Sequence, residues 1–464
     1  MQLRQRKKCK NDFIQHELWV KITEIFCNIA FSILGLMAKI QDNNILYTFL
    51  RPYVDFCSRT SYRRFEVHGQ ENLPKDGALI YGINHSNTLM DALVVLATSH
   101  HKKVFMARGD IFSNPTVAKI LKFTRILPLF RIRNGVAAVR NNTDSIEQAV
   151  DVVHDKVGLY LFPEGRHRTK HSLLQLSKGI FHIAMDSNKE FGDERPIYIV
   201  PVGIEYGDYF RYRSTCMVNF GEAINVTDFI KNSTEENDAV LMNQLREMLW
   251  ERISKLITFI PDDEDYDATW EIVKMKNEKR VGGLYKKMLR NRATVEKVEQ
   301  YKQAHPEEAK ALFDKVKTFA KHRVQQKISV TSTAKKYPLL NSLWKILLAV
   351  IGLPYFIASS AVNLIIWVLA LVIKSRLKDK AFSNTVCFGS KFLLSPLVFI
   401  GGTIALFCTV PWYWALGGMV LLFFSYDFWY DYQELVRRMV SDIRWAFKGK
   451  LRKEYKSLGL NELF

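Results

Sequence analysis

The chain has 464 residues, 66 Lys+Arg against 47 Asp+Glu, a formal charge of +19, and 48% hydrophobic residues. This allows two or three domains with a sizeable core and excludes a disordered chain. Much of the apolar content sits in nearly uninterrupted runs near the C-terminus, which argues against a purely soluble protein. The six cysteines show no C-x-x-C spacing, so neither a zinc knuckle nor a disulfide framework is expected, and a reducing compartment is the simpler reading.

At the N-terminus, Arg4, Arg6, Lys7, Lys8 and Lys10 precede an apolar stretch from Ile25 to Met37. About a dozen mixed residues intervene and no small-x-small cleavage site follows, which argues against a signal peptide. Trp19, Ile22, Ile25, Phe26, Ile29, Ile33, Leu36 and Met37 recur at three and four. The spacing predicts an in-plane or partly inserted amphipathic helix with its basic flank on anionic headgroups. A core helix of the soluble domain is the other reading.

From residue 47 to 227 short apolar runs alternate with helical patterns. Ala78–Ile83, Lys103–Ala107, Val157–Phe162 and Ile197–Val202 read as strands, and Leu127–Arg133 as an apolar strand ending in arginines. Leu89–Ser99, Pro115–Phe123, Gly135–His154 and Leu173–Asp186 read as helices. Such alternation predicts an α/β fold, a mixed sheet flanked by helices, with ligands gathered on loops at strand ends. Residues 228–335 turn charged and helical, with Pro306 placed to open a second helix, and are expected to form a solvated connection.

Leu343–Ile373 carries one charge, Lys345, in 31 residues, and Phe392–Phe424 carries none in 33. Both exceed the about 20 residues that cross a bilayer, and both are interrupted by Gly and Pro. Basic residues flank both runs and fill the segment between them, so the positive-inside rule puts every flank on the cytoplasmic side. Each run is therefore expected to enter and return as a hairpin. The predicted organisation is a basic, membrane-associated N-terminus (1–46), an α/β domain (47–227), a charged helical region (228–335), transmembrane or re-entrant hairpins (336–430) and a basic cytoplasmic tail (431–464).

Two constellations could carry chemistry. Asn84-His85-Ser86-Asn87-Thr88-Leu89-Met90-Asp91 directly follows the strand Ala78–Ile83. A His in a strand-end turn can serve as a base, and a carboxylate pointing back from the following helix can hold its tautomer. Phe162-Pro163-Glu164-Gly165-Arg166-His167-Arg168 also follows a strand. Gly165 permits a tight turn, and two arginines within three positions suit a phosphate. Taken singly, each also reads as a capping turn or a basic surface turn.

In this order and spacing, His-Asp, the arginine strand, Phe-Pro-Glu-Gly and then Val200-Pro201-Val202, the chain resembles the glycerolipid acyltransferase superfamily from Tyr62 to Val226. The branch similar in motif is the fungal-type glycerol-3-phosphate/dihydroxyacetone-phosphate acyltransferases, which share the five residues between His and Asp where the family's usual pattern has four. The resemblance implies that His85 is the general base, assisted by Asp91. It also implies that Arg131, Glu164, Gly165 and one of Arg166 or Arg168 hold the phosphate and glycerol. No metal or cofactor is implied beyond an acyl-CoA or acyl carrier protein thioester as donor substrate. The expected function is acylation of glycerol-3-phosphate or dihydroxyacetone phosphate at a membrane, with the active site facing the cytoplasm, on a bacterial inner membrane or the endoplasmic reticulum. Acylation of lysophosphatidate or another lysolipid or aminolipid hydroxyl is the alternative, and a non-catalytic lipid-binding protein the lesser one. The expected partners are membrane lipid, the thioester and a phosphorylated glycerol-type acceptor. The positive charge equally suits nucleic acid, but no motif for it is present.

Overall fold

The computed structural model of the chain describes residues 39–130, 136–277 and 282–464. The amphipathic N-terminal stretch and Arg131 lie outside the described residues. The strands are β1 (Arg64–His68), β2 (Ala78–Ile83), β3 (Lys103–Arg108), β4 (Ile126–Leu129), β5 (Gly158–Leu161), β6 (Ile197–Tyr206), β7 (Thr215–Phe220) and β8 (Ile224–Asn225). They form one sheet in the order β1-β7-β6-β2-β5-β3-β4, with β8 also on β6. Pairing is parallel except where β7 and β8 meet β6. The helices of eight or more residues are α1 (Ile45–Thr60), α2 (Leu89–Leu96), α3 (Pro115–Phe123), α4 (Val136–His154), α5 (Gly179–Phe191), α6 (Asp238–Lys255), α7 (Tyr266–Asn277), α8 (Leu284–Ala304), α9 (Pro306–Gln325), α10 (Pro338–Ser375), α11 (Ser383–Thr409), α12 (Trp412–Phe447) and α13 (Gly449–Ser457).

The central strands are apolar on both faces, as strands covered twice must be. On one face Ile80, Leu159 and Ile199 pack with α4, α5 and α6, and on the other Tyr81, Tyr160 and Val202 pack with α1 and α2. Pro201 sits mid-strand in β6 without breaking the sheet. β8 pairs with Tyr198 and Ile199, β7 pairs from Val202 onward, and Gly221 N–H donates to the Pro201 carbonyl. The missing proline N–H thus faces the gap between β7 and β8, where the ladder requires no donor.

Two differences from the sequence reading have local causes. The helix expected over Leu173–Asp186 begins only at Gly179, because the chain before it is held extended. Leu174 N–H donates to Glu164 Oε2 (2.9 Å) and Ser177 N–H to the Pro163 carbonyl (2.7 Å). Strands β1 and β7 were not foreseen; β1 is the edge strand and β7 its inner neighbour, and alternation in them is diluted by Arg64, Glu66, Thr215 and Asn219. The charged region does form α8 and α9 with the turn at His305. It is less solvated than expected, since Phe313, Val316 and Phe319 pack with Ala268, Ile272 and Trp445 in a core of their own.

The apolar runs form three long helices against the end of the sheet. Pro338–Ser375 and Lys380–Thr409 are long and apolar enough to cross a membrane. Their outward faces, with those of Trp412–Phe424, carry exposed Leu, Ile, Val, Phe and Trp. α11 and α12 are an antiparallel hairpin turning at Val410-Pro411. Lys391 meets Asp427 at its base, and Gly402 and Gly418 let Leu422 and Leu406 cross nearer the tip. α10 starts with Lys345 on Asp442, low on α12. Four residues past its end, Asp379 meets His167 of the α/β domain. Both ends of α10 therefore lie on the domain side, and the helix bends back on itself, with Pro354 in its first half removing one ladder hydrogen bond.

Candidate active site

β2 and β5 are parallel neighbours, so the loops that follow them leave the sheet side by side. The Asn84 side chain fastens the first loop to β6, donating to the Ile204 carbonyl (3.0 Å) and accepting from Ile204 N–H (2.6 Å). His85 follows, with its Nδ1 2.7 Å from Asp91 Oδ2. Asp91 opens the first turn of α2 and is fully buried. Its Oδ2 also accepts from the backbone N–H groups of Ser86 (2.8 Å) and Asn87 (2.7 Å), while Tyr206 OH donates to Oδ1 (2.7 Å). Oδ2 is thus an acceptor toward His85, so Nδ1 carries the proton and Nε2 presents its lone pair.

The spacing between His85 and Asp91 closes through Thr88, at φ +50° and ψ −130°. This is a sparsely populated region for a β-branched residue, and it lets the chain turn sharply enough for Asp91 to face back. Thr88 Oγ1 lies 3.2 Å from Thr385 Oγ1 of α11, so this long apolar helix touches the turn directly.

The second loop braces the first. Glu164 Oε1 accepts from His85 N–H (2.7 Å), Oε2 accepts from Leu174 N–H, and Arg168 N–H donates to the His85 carbonyl (3.0 Å). Burial pushes the Glu164 carboxyl above its ordinary range, and the two backbone donors oppose that shift. Gly165 has φ +65° and closes the turn through its N–H on the Phe162 carbonyl (3.0 Å), so the expected tight turn is present. The His85 ring stacks on Phe162 (4.5 Å between centroids) and meets His167 edge-on (5.7 Å).

The structure therefore brings His85, Asp91, Glu164 and Gly165 together. Arg166 is exposed on the same loop. Arg168 turns to Asp262 and to Ser172 Oγ (2.7 Å), and so braces the loop against the segment before α7. Sequence reasoning placed Asn84 and His167 in these loops without a role, and missed Tyr206 and Asp379. Tyr206 lies 115 residues from Asp91, and Asp379 lies 212 from His167, so no local spacing could signal either contact. His171, the other histidine of this segment, is packed on Trp270, and burial pushes it down to about 3, which fits a neutral core residue.

The acyltransferase family model matches residues 64–205. Glycerol-3-phosphate O-acyltransferase 2 of Saccharomyces cerevisiae is 25% identical over 114 residues, 24% of this chain. The matched stretch spans only 15% of that protein's length. The solved 1-acyl-sn-glycerophosphate (LPA) acyltransferase PlsC of Thermotoga maritima is 20% identical, covering 46% of this chain and 84% of its own, at a TM-score of 0.32.

Proposed function

Residues 64–205 belong to the glycerolipid acyltransferase superfamily, and from that premise we propose that this chain moves a fatty acyl group from a thioester to the hydroxyl of glycerol-3-phosphate or dihydroxyacetone phosphate at a membrane surface. The observation that carries the reading is the His85–Asp91 pair, in which two backbone amides oblige the carboxylate to accept from Nδ1 and leave Nε2 free as a base. His85 takes the acceptor's hydroxyl proton as its oxygen attacks the thioester carbonyl. The C–S bond then breaks, and the departing thiolate receives that proton. Atoms and charge balance without a covalent enzyme intermediate, and Asp91 stabilises the imidazolium in between. Phosphate anchoring falls to the exposed Arg166 and to Arg131, with Arg168 as a brace. The curated relative named for glycerol-3-phosphate supports that acceptor over a lysolipid.

The test is acyl transfer by detergent-purified protein, supplied with a labelled palmitoyl thioester and glycerol-3-phosphate, dihydroxyacetone phosphate or lysophosphatidate in parallel. Labelled lysolipid from a soluble acceptor, reduced about 10²–10⁴-fold in His85→Ala, is expected. Label only from lysophosphatidate moves the acceptor one step along and keeps the mechanism, whereas full activity in His85→Ala removes the mechanism.

A further inference from the structure

A cavity of about 1440 Å³ opens at the same end of the sheet as the catalytic turn. Tyr206, which holds Asp91, is followed directly by Gly207 and Asp208 on its wall. Beyond them lie the first residues of β1 and β7, and the far wall is built by α8, α9, the start of α10 and the lower half of α12. The family match ends at residue 205, so most of this cavity is made by parts of the chain outside it.

Fourteen lysine and arginine side chains line the cavity against two carboxylates, Asp208 and Glu434. The acids at its margin are shared rather than matched one to one. Glu434 serves Arg211, Arg437 and Arg438, Asp442 serves Lys335 and Lys345, Asp431 serves Arg63 and Arg213, Glu271 serves Lys274 and Arg323, and Glu66 meets Arg64, so the lining cations still outnumber the acids. Lys327 and Arg444 have no carboxylate partner among the described residues. Cations gathered in one concavity with low-dielectric walls repel one another and focus a positive potential into the space they enclose. Guanidinium groups in such numbers match the multidentate oxygens of phosphate.

We propose that this cavity is a binding site for a phosphate-rich anion, separate from the His85–Asp91 centre. Two sources carry that chemistry here. One is the headgroup of an anionic phospholipid, since Lys345 and Asn341 on the wall lie at the start of the apolar helix α10. The other is a water-soluble polyphosphate, such as the phosphoadenosine end of a coenzyme thioester.

The experiment is titration of the full chain in neutral detergent with adenosine 3′,5′-bisphosphate, dioctanoyl phosphatidate or dioctanoyl phosphatidylcholine, read by isothermal calorimetry at low and high chloride. Lys327→Asn combined with Arg444→Gln removes two charges and strands no acid. Asn also suits Lys327's backbone, which has φ +52°. At least one phosphate probe is expected to saturate and to weaken with chloride. Its affinity is expected to fall at least tenfold in the double variant, while Lys327→Arg/Arg444→Lys binds as the parent. Binding of the bisphosphate alone identifies a soluble ligand, and binding of phosphatidate alone identifies the lipid. Binding that the Asn/Gln variant leaves unchanged, equal response to phosphatidylcholine, or no response to either phosphate overturns the proposal. His85→Ala is expected to bind as the parent, so this result stands apart from that of the transferase assay.

Discussion

At Asp91 one oxygen collects three donors and the other a fourth. An asparagine can reproduce this arrangement, with its carbonyl oxygen on His85 and the two amides and its NH₂ turned to the Tyr206 oxygen. Asp91→Asn should therefore fold as the parent and keep the His85 tautomer, losing only the charge that steadies the imidazolium. The expected outcome is a thermal midpoint near the parent's and a single-turnover rate about 10²–10⁴-fold lower. A rate within a few-fold of the parent would show that His85 works without the carboxylate's charge. Glu164→Gln behaves differently, because both of its oxygens face backbone N–H groups. One amide donor must then meet another, at a cost of about 1–3 kcal/mol, and the His85 loop should shift with a loss of activity of tenfold or more. The pH dependence supplies an independent check. Burial raises the folded Glu164 carboxyl, so its protonated form favours the fold below the unfolded value of 4.5, and that contribution is lost as pH rises through the raised value. Glu164→Gln should flatten this part of the stability profile, as read by thermal unfolding from pH 4 to 8.

Among the elements, polar contacts join the α11–α12 hairpin to the α/β domain at several points. Lys391 of α11 is one: its Nζ reaches Asp427 of α12 (2.7 Å) and Thr60 Oγ1 at the end of α1 (2.8 Å). Lys391→Met leaves the partly buried Asp427 with only Tyr212 OH (3.2 Å) and Arg213 at 4.0 Å among the described residues. A loss of about 2–4 kcal/mol in unfolding free energy is expected, and adding Asp427→Asn should recover part of it. Additive effects in that cycle would show the contact to be incidental. This tethering was not legible in the sequence, although the helices themselves were. A run with no charge in 33 residues declares its environment, and Pro411 its turn, but nothing local says that Lys391 faces Thr60. The same contrast holds in the sheet. β2 and β5 were readable because strands buried on both faces are uniformly apolar. β1 and β7, with polar residues near the sheet's edge, were not. The His85 turn was readable from order and spacing, whereas Tyr206 and the brace by Arg168 depend on how β6 and the Asp262 segment fold over it.

Over the whole molecule, the +19 charge is not spread evenly. α12 is apolar all round from Trp412 to Phe424. It then places Asp427, Asp431 and Glu434 at intervals of four and three, on one helix face. That face meets Arg63, Arg211 and Arg213 of the α/β domain. The acidic stripe thus docks the C-terminal helices on the domain and offsets part of the basic lining of the cavity, where a basic excess remains. Under the proposed function two forces hold the chain at a bilayer, insertion of apolar helices and attraction of cations to anionic headgroups, and salt separates them. Ionic screening shortens from about 10 Å at 0.1 M to about 3 Å at 1 M, which removes the second force and leaves the first. Burial of exposed side chains such as Leu393, Leu397, Ile400, Ile404 and Phe407 on α11 alone is worth about 1.5–3 kcal/mol each. Membranes carrying the full chain should therefore retain it in the pellet through washes in 1 M salt and in alkaline carbonate, and release it only to detergent. Release by salt alone would make the attachment electrostatic and the α11–α12 hairpin a surface element.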